Sequence, residues 1–161
     1  MSLLVNLKDA IADELETITD IGVVHRRDRY AGNDTALLSL FKTRISGVDQ
    51  IRTWIVTAGA TQLEHESFGT DAGGNLTGTV TIRVRGLLGF HDEDNTEDTL
   101  LGLAETALKK FGSLNIALTG AHGRILAPNI SRVDVIEFGS VICNLVEITV
   151  PVLVADSADW S

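Results

Sequence analysis

The sequence holds a single cysteine, Cys143. One thiol excludes an intramolecular disulfide framework and any zinc site built from several cysteines. Cys143 sits in an apolar run and reads as a small buried hydrophobe. A nucleophilic role would need a neighbouring base and an electropositive setting. Long hydrophobic runs are missing too, and none approaches a membrane span. In Met1 to Glu16 acidic residues interrupt the apolar positions, so no signal-peptide core forms and a soluble, intracellular origin is expected. Positive charge is scarce: the formal net charge is −9. That argues against sequence-independent nucleic-acid binding, which needs Lys and Arg clustered against phosphates, and against an anionic membrane surface. Val133 to Ser161 contains no Lys or Arg, but does contain Asp134, Glu137, Glu147, Asp156 and Asp159. The positive residues lie earlier, at Arg26, Arg27 and Arg29 and at Arg83 and Arg85. Such an asymmetry can guide self-assembly, although an ordinary solvated surface is the plainer account.

Catalytic signatures are also lacking. There is no G-x-S-x-G nucleophile elbow and no glycine-rich run ending in Gly-Lys-Ser/Thr. His25, His65, His91 and His122 form neither an HExxH nor a close His-x-His pair, so convergence on zinc with Glu64 or Asp92 has no spacing to support it. Asp92, Asp94 and Thr96 alternate like the start of an EF-hand loop. Glu97 and Leu103 then stand where such a loop needs its glycine and its closing glutamate. The plainer reading is a helix start: Asp94 or Asn95 as cap, with Glu97 or Asp98 in a box-like arrangement and facing the positive end of the helix dipole. Gly120 to Arg124 is a basic-tipped turn that can bind an anion but reads better as an exposed loop. His25 to Tyr30 is the one dense basic cluster; ion pairing with a protein partner fits it better than nucleic acid, and an ordinary solvated face is the plainer account.

What is present organises around Thr79 to Phe111. Val80, Ile82 and Val84 alternate with polar residues, which is a strand with one apolar face. Gly86 and Gly89 are expected to loosen the backbone into the acidic turn. Leu100, Leu103, Ala104, Ala107, Leu108 and Phe111 recur at helical spacing. Residues 3–19 predict an amphipathic helix with Leu4, Leu7, Ile11, Leu15 and Ile18 on one stripe, capped by Ser2 and ending before Gly22. Gly22 to Arg27 is a short strand or an extended link. A second helix is expected from Thr35 to Ile45, capped by Asn33 or Asp34. Gln50 to Ala58 is a strand centred on Trp54, a core anchor or an interface anchor. Gly59 to Gly78 reads as a long loop or hairpin tip between antiparallel strands. Gly112 to Ile130 reads as loop, with Pro128 excluding helix. Arg132 to Phe138 and Val141 to Val154 are strands joined by Gly139-Ser140 in a II′ turn. The last strand is apolar on both faces in its first half, hence central, and Pro151 marks an edge or bend towards its end. Residues 155–161 are a polar tail, expected to be mobile, in which Trp160 can dock on this chain or a neighbour. The whole predicts one α+β domain over 1–161, a mostly antiparallel sheet of about four to five strands packed by two to three helices.

The order of these features resembles a family. An amphipathic helix runs into Ile21-Gly22-Val23-Val24-His25-Arg26-Arg27-Asp28-Arg29-Tyr30, then a helix with Leu38-Ser39-Leu40-Phe41. The strand Ile51-Arg52-Thr53-Trp54-Ile55-Val56 and its loop follow. Next come a strand, the turn Gly86 to Asp98 and a helix, and the hairpin with Gly139-Ser140-Val141-Ile142-Cys143 closes the chain. This resembles the tail terminator, or tail completion, proteins of long-tailed bacteriophages over most of residues 3–154. The resemblance implies an α+β structural protein of the virion. It would be made in the bacterial cytoplasm and form a ring, hexameric in the family, at the head-proximal end of the tail. Its implied partners are its own copies, the tail tube protein and the head completion or connector protein, with DNA passing through unbound. Neither catalysis nor a cofactor nor a metal is expected. Candidate interface residues are Arg26, Arg27, Arg29, Trp54 and Trp160. Asp92, Glu93 and Asp94 are candidates for an acidic channel lining or subunit-facing patch, and Gly59 to Gly78 for contact with the tube or the next subunit. The alternatives are another neck or tail tube protein of the same particle, or a cytosolic α+β enzyme or ligand-binding module.

Overall fold

The structure, a computed structural model, describes residues 3–66, 75–90, 95–118 and 121–156. Helix α1 is Leu3–Glu16, and its stripe buries Leu7, Ile11, Ala12 and Leu15. It ends three residues earlier than the stripe predicts, because a turn from Leu15 to Ile18 already tucks Ile18 into the core. Strand β1, Val23–His25, lies parallel to β3, Val48–Glu66. The link between α1 and β1 runs close to β3. Gly22 has φ +93°, and a Cβ there would stand 2.1 Å from the Arg52 carbonyl oxygen, so both the backbone angle and the space require glycine.

Helix α2, Asp34–Phe41, is shorter than expected. Asn33 Oδ1 accepts the Ala36 N–H at 2.8 Å, the expected cap. Lys42–Ile45, however, is strand β2, which pairs antiparallel with the start of β3. Apart from Phe41 this helix buries nothing fully, so a single turn of anchoring does not carry it through Thr43 and Ile45, which are β-branched.

The predicted loop from Gly59 to Gly78 is largely strand. β3 continues to Glu66, and β4 spans Asn75–Gly89, the two pairing antiparallel as far as Glu66↔Asn75 with a bulge between Ala58 and Thr61. Residues 67–74 lie outside the described residues. Ala58, Ala60, Thr61 and Gln62 are exposed, and a strand that buries neither face shows no apolar alternation. Gly86 likewise lies within β4 and does not open a turn.

Helix α3 is Thr96–Ser113, burying Leu100, Ala104, Ala107 and Phe111. Asn95 occupies the cap position, but in the left-handed region and without a side-chain cap bond. Its amide donates instead to Asp98 Oδ2 at 2.6 Å. The segment expected to be loop from Gly112 holds β5, Asn115–Leu118, and β6, Ala121–Ile125. β7, Asn129–Phe138, and β8, Val141–Asp156, follow. Both Gly139 and Ser140 have positive φ, 53° and 63°, which makes the turn type I′ where II′ was expected.

Among the described residues the fold is α+β, with three helices and a curled, mostly antiparallel sheet of eight strands, more than the sequence suggested. The order is β1-β3-β4-β8-β6-β5, with β2 beside β3 and β7 beside β8. β8 is central, as its apolar faces indicate. Pro151 does not end it. The strand runs on to Asp156, and Pro151 sits where β8 exchanges one neighbour for another: β7 pairs up to Thr149, and β6 begins at Val152. The Pro151 carbonyl accepts from Leu126 N on that side. The missing N–H faces the same gap, since a strand residue points both groups one way.

The two faces differ. α1 and α3 cover one, enclosing Trp54, Val56, Val80, Ile82, Val84, Val146 and Ile148. The other carries a smaller cluster, Phe41, Ile51, Ile55, Leu87, Cys143 and Leu145, capped by α2. Among the described residues no helix is long and apolar enough to cross a membrane.

Candidate functional site

The basic cluster divides in three. Arg26 follows β1 and turns back onto α1. Its guanidinium donates to Asp13 Oδ1 at 2.7 Å, Glu16 Oε1 at 3.1 Å and the Asp9 carbonyl oxygen at 3.1 Å. The hydrogen bond to Asp13, with the charges of Glu16 and Asp9, raises its pKa above the ordinary arginine value against a smaller burial effect. Arg26 thus clamps α1 within the chain, while its side chain stays 34 % exposed. Arg27 is exposed and makes no ion pair among the described residues. Asp28 pairs with Arg85 across from β4.

Arg29 is half-buried at the mouth of a groove of about 310 Å³ on the α2 face. Phe41, Ile55, Leu87 and Leu145 floor the groove, while Asp28, Arg85, Arg132 and Glu147 rim it. Tyr30 stands beside it, 86 % exposed. Arg85 is paired with Asp28, and Arg132 with Asp134, so opposite charges on the rim largely cancel. Nothing in the groove pairs a nucleophile with a base.

The other candidates are placed as follows. Trp54 is fully buried between the sheet and the helices, which corrects it from interface anchor to core. Its indole N–H has no hydrogen-bond partner among the described residues. Asp92, Glu93, Asp94 and Trp160 lie outside the described residues. Cys143 is buried, and burial pushes its thiol up to about 11, so it is not poised as a nucleophile. His25 donates from Nε2 to the Leu40 carbonyl oxygen at 2.9 Å and meets Phe41 edge-on at 4.9 Å. Burial lowers its pKa, the Leu40 bond partly opposes this, and Arg29 adds to the lowering. Among the described residues no group of three His, Cys, Asp or Glu side chains is placed to hold a metal ion.

β7 carries an apolar edge that its sequence does not mark. Val133 and Val135 on β7 are 48 % and 51 % exposed, and Ile142 at the start of β8 is 56 % exposed. Their register partners, Val146, Asn144 and Glu137, place all three on the helix-bearing face. β7 pairs with β8 alone, so its outer backbone groups have no strand partner among the described residues. In sequence an edge valine is indistinguishable from a core valine; the only available signal was the interleaved Arg132, Asp134 and Glu137.

No protein-family model matches the chain, and no curated protein matches it in sequence.

Proposed function

We propose that this chain is a structural assembly protein, a tail terminator that forms a ring at the head-proximal end of a bacteriophage tail. The observation that carries the proposal is the β7 edge, which has no strand on its outer side among the described residues and leaves Val133 and Val135 exposed. Open edges with apolar side chains invite another chain and are usually blunted in proteins that work alone. The groove offers a surface for contact, and Cys143 is buried away from it as an unreactive thiol. The order of elements, helix to basic segment, helix, Trp-bearing strand, long hairpin, helix and closing hairpin, favours the terminator among assembly proteins. The partners in this reading are further copies of the chain, the tail tube protein and the head connector. The virion is its site of action, and DNA passes without specific binding.

Light scattering on the size-exclusion eluate and negative-stain images of the purified protein test this. The expected result is a closed ring that limits the length of growing tubes when mixed with the tail tube protein. A stable monomer holding a small molecule tightly would overturn the reading. Long tubes formed by this chain alone would assign it to the tube.

A further inference from the structure

We propose that the outer edge of β7 is the surface by which one copy of this chain binds the next, and that it docks on the outer edge of β3 beside α1. The proposal rests on the ring reading above and names the two surfaces that reading leaves open.

β7 is ten residues long and contains neither Lys nor Pro, but a bulge between Ile130 and Arg132, the charges of Arg132, Asp134 and Glu137, and the Val135 N–H donated to Asp134 Oδ1 at 2.8 Å leave only part of its outer edge open to pairing. The opposite side of the sheet has a matching vacancy. β1 covers β3 only as far as Ile55, and from Ala58 onward β3 has no strand on its outer side among the described residues. A shallow groove of about 260 Å³ runs there, with Leu4, Val5 and Ala58 in its lining and Lys8, Arg26, Arg27 and Asp28 around them, positive on balance. Val5 is 39 % exposed in it.

Direction, face and charge agree. β7 is antiparallel to β8, β8 to β4, and β4 to β3, so β7 runs antiparallel to β3. A second copy with its helices on the same face, shifted along the strands so that β7 clears β1 and β2 and reaches Ala58, therefore brings β7 to β3 as an antiparallel partner, and neither subunit is turned over. Val133 and Val135 then fall on the face that carries Val5 and Ala58. Glu137 shares that face, on a stretch with no Lys or Arg after Arg132, and meets the side of the groove that carries Lys8 and Arg27. The contact uses two different patches of the same chain, which is the head-to-tail type that closes into rings. A two-fold contact of β7 with β7 would leave the groove empty and bring two acid-rich segments together.

Two variants test the interface. Val133→Lys with Val135→Lys alters exposed side chains only; light scattering should show the wild-type oligomer reduced to monomer, with an unchanged far-ultraviolet circular dichroism spectrum. Val5→Cys with Val135→Cys should give a ladder of dimers, trimers and higher covalent species under mild oxidation, while Val135→Cys alone gives none. Buried Cys143 supplies no background. An intact oligomer in the folded lysine variant, or an absent ladder, overturns the interface and leaves the ring reading standing. Dimers from Val135→Cys alone overturn it in favour of the two-fold contact. A monomeric wild type at micromolar concentration removes both the interface and the ring. Should the lysine variant misfold, the cysteine ladder decides.

Discussion

Trp54 and Gly86 are register partners on neighbouring strands, and the indole lies over the glycine. A Cβ at Gly86 would stand 2.8 Å from Cη2 and Cζ3 of the ring and 2.9 Å from Val146 Cγ1. The largest fully buried side chain thus occupies the place a side chain at residue 86 would take.

Gly86→Ala is therefore expected to overpack the core and cost about 1–3 kcal/mol, read as a lowered midpoint in urea. In a Trp54→Phe background the same change should cost less, because the shorter ring frees the space and the two positions are coupled. Trp54→Phe itself should cost less than its lost volume suggests, since it removes a buried N–H that has no partner. Equal costs of Gly86→Ala in both backgrounds would show that the two side chains do not compete.

Arg26 predicts a salt-sensitive hold on α1. Its carboxylate partners are well solvated and the Arg26 side chain is 34 % exposed, so solvent screening keeps each pair within about 0.2–1 kcal/mol. Arg26→Met should lower stability by about 1 kcal/mol in dilute buffer and by less in high salt. Arg27→Glu, which changes an exposed and unpaired residue, should leave the melting temperature unchanged. A larger loss from Arg27→Glu than from Arg26→Met would reverse these roles.

His25 predicts a pH dependence. Its folded pKa is lowered, chiefly by burial, while the unfolded value is about 6.5. As pH falls below about 6.5 the unfolded chain takes up the proton first, so stability declines through the window between the two values and is fully present above it. Thermal melts from pH 7.5 to 5.5 should fall more steeply in the wild type than in His25→Gln. Parallel profiles would assign the loss to other groups.

Cys143 predicts a silent thiol. With its pKa pushed up to about 11 and no exposed surface, it should resist maleimide at pH 8 and react fully in denaturant. Rapid labelling of the native protein would contradict its burial.

The sequence pattern was legible wherever one face of an element is buried and the other wet. The stripe Leu7, Ile11 and Leu15 located α1, and the alternation Val80, Ile82 and Val84 located the middle of β4. It fell silent where both faces are solvated. The outer β3–β4 hairpin and β2 carry Thr, Ala, Arg and Gln in no period, and backbone pairing forms them. The basic residues were visible as a cluster. That Arg26 would fold back on Asp13 and Glu16 was not, because only the tertiary path past Gly22 brings them together. Trp54 carried no mark to separate a core anchor from an interface anchor, and Val133 and Val135 none to separate an edge from a core.

β8 bonds on one side to β4 and on the other to β6 and β7, with Pro151 at the hand-over. Among the described strands it is the last in chain order. Its pairing with β4 reaches from Gly89↔Cys143 to Gly78↔Val154, a long closure in sequence, which slows folding. During vectorial synthesis β3 and β4 wait with β4's far edge bare until β8 emerges. The newly made chain is then open to pairing with a neighbour's strand at the wrong place. Correct assembly thus depends on β8 filling its own gap before copies meet, and dilution during refolding should favour the native yield.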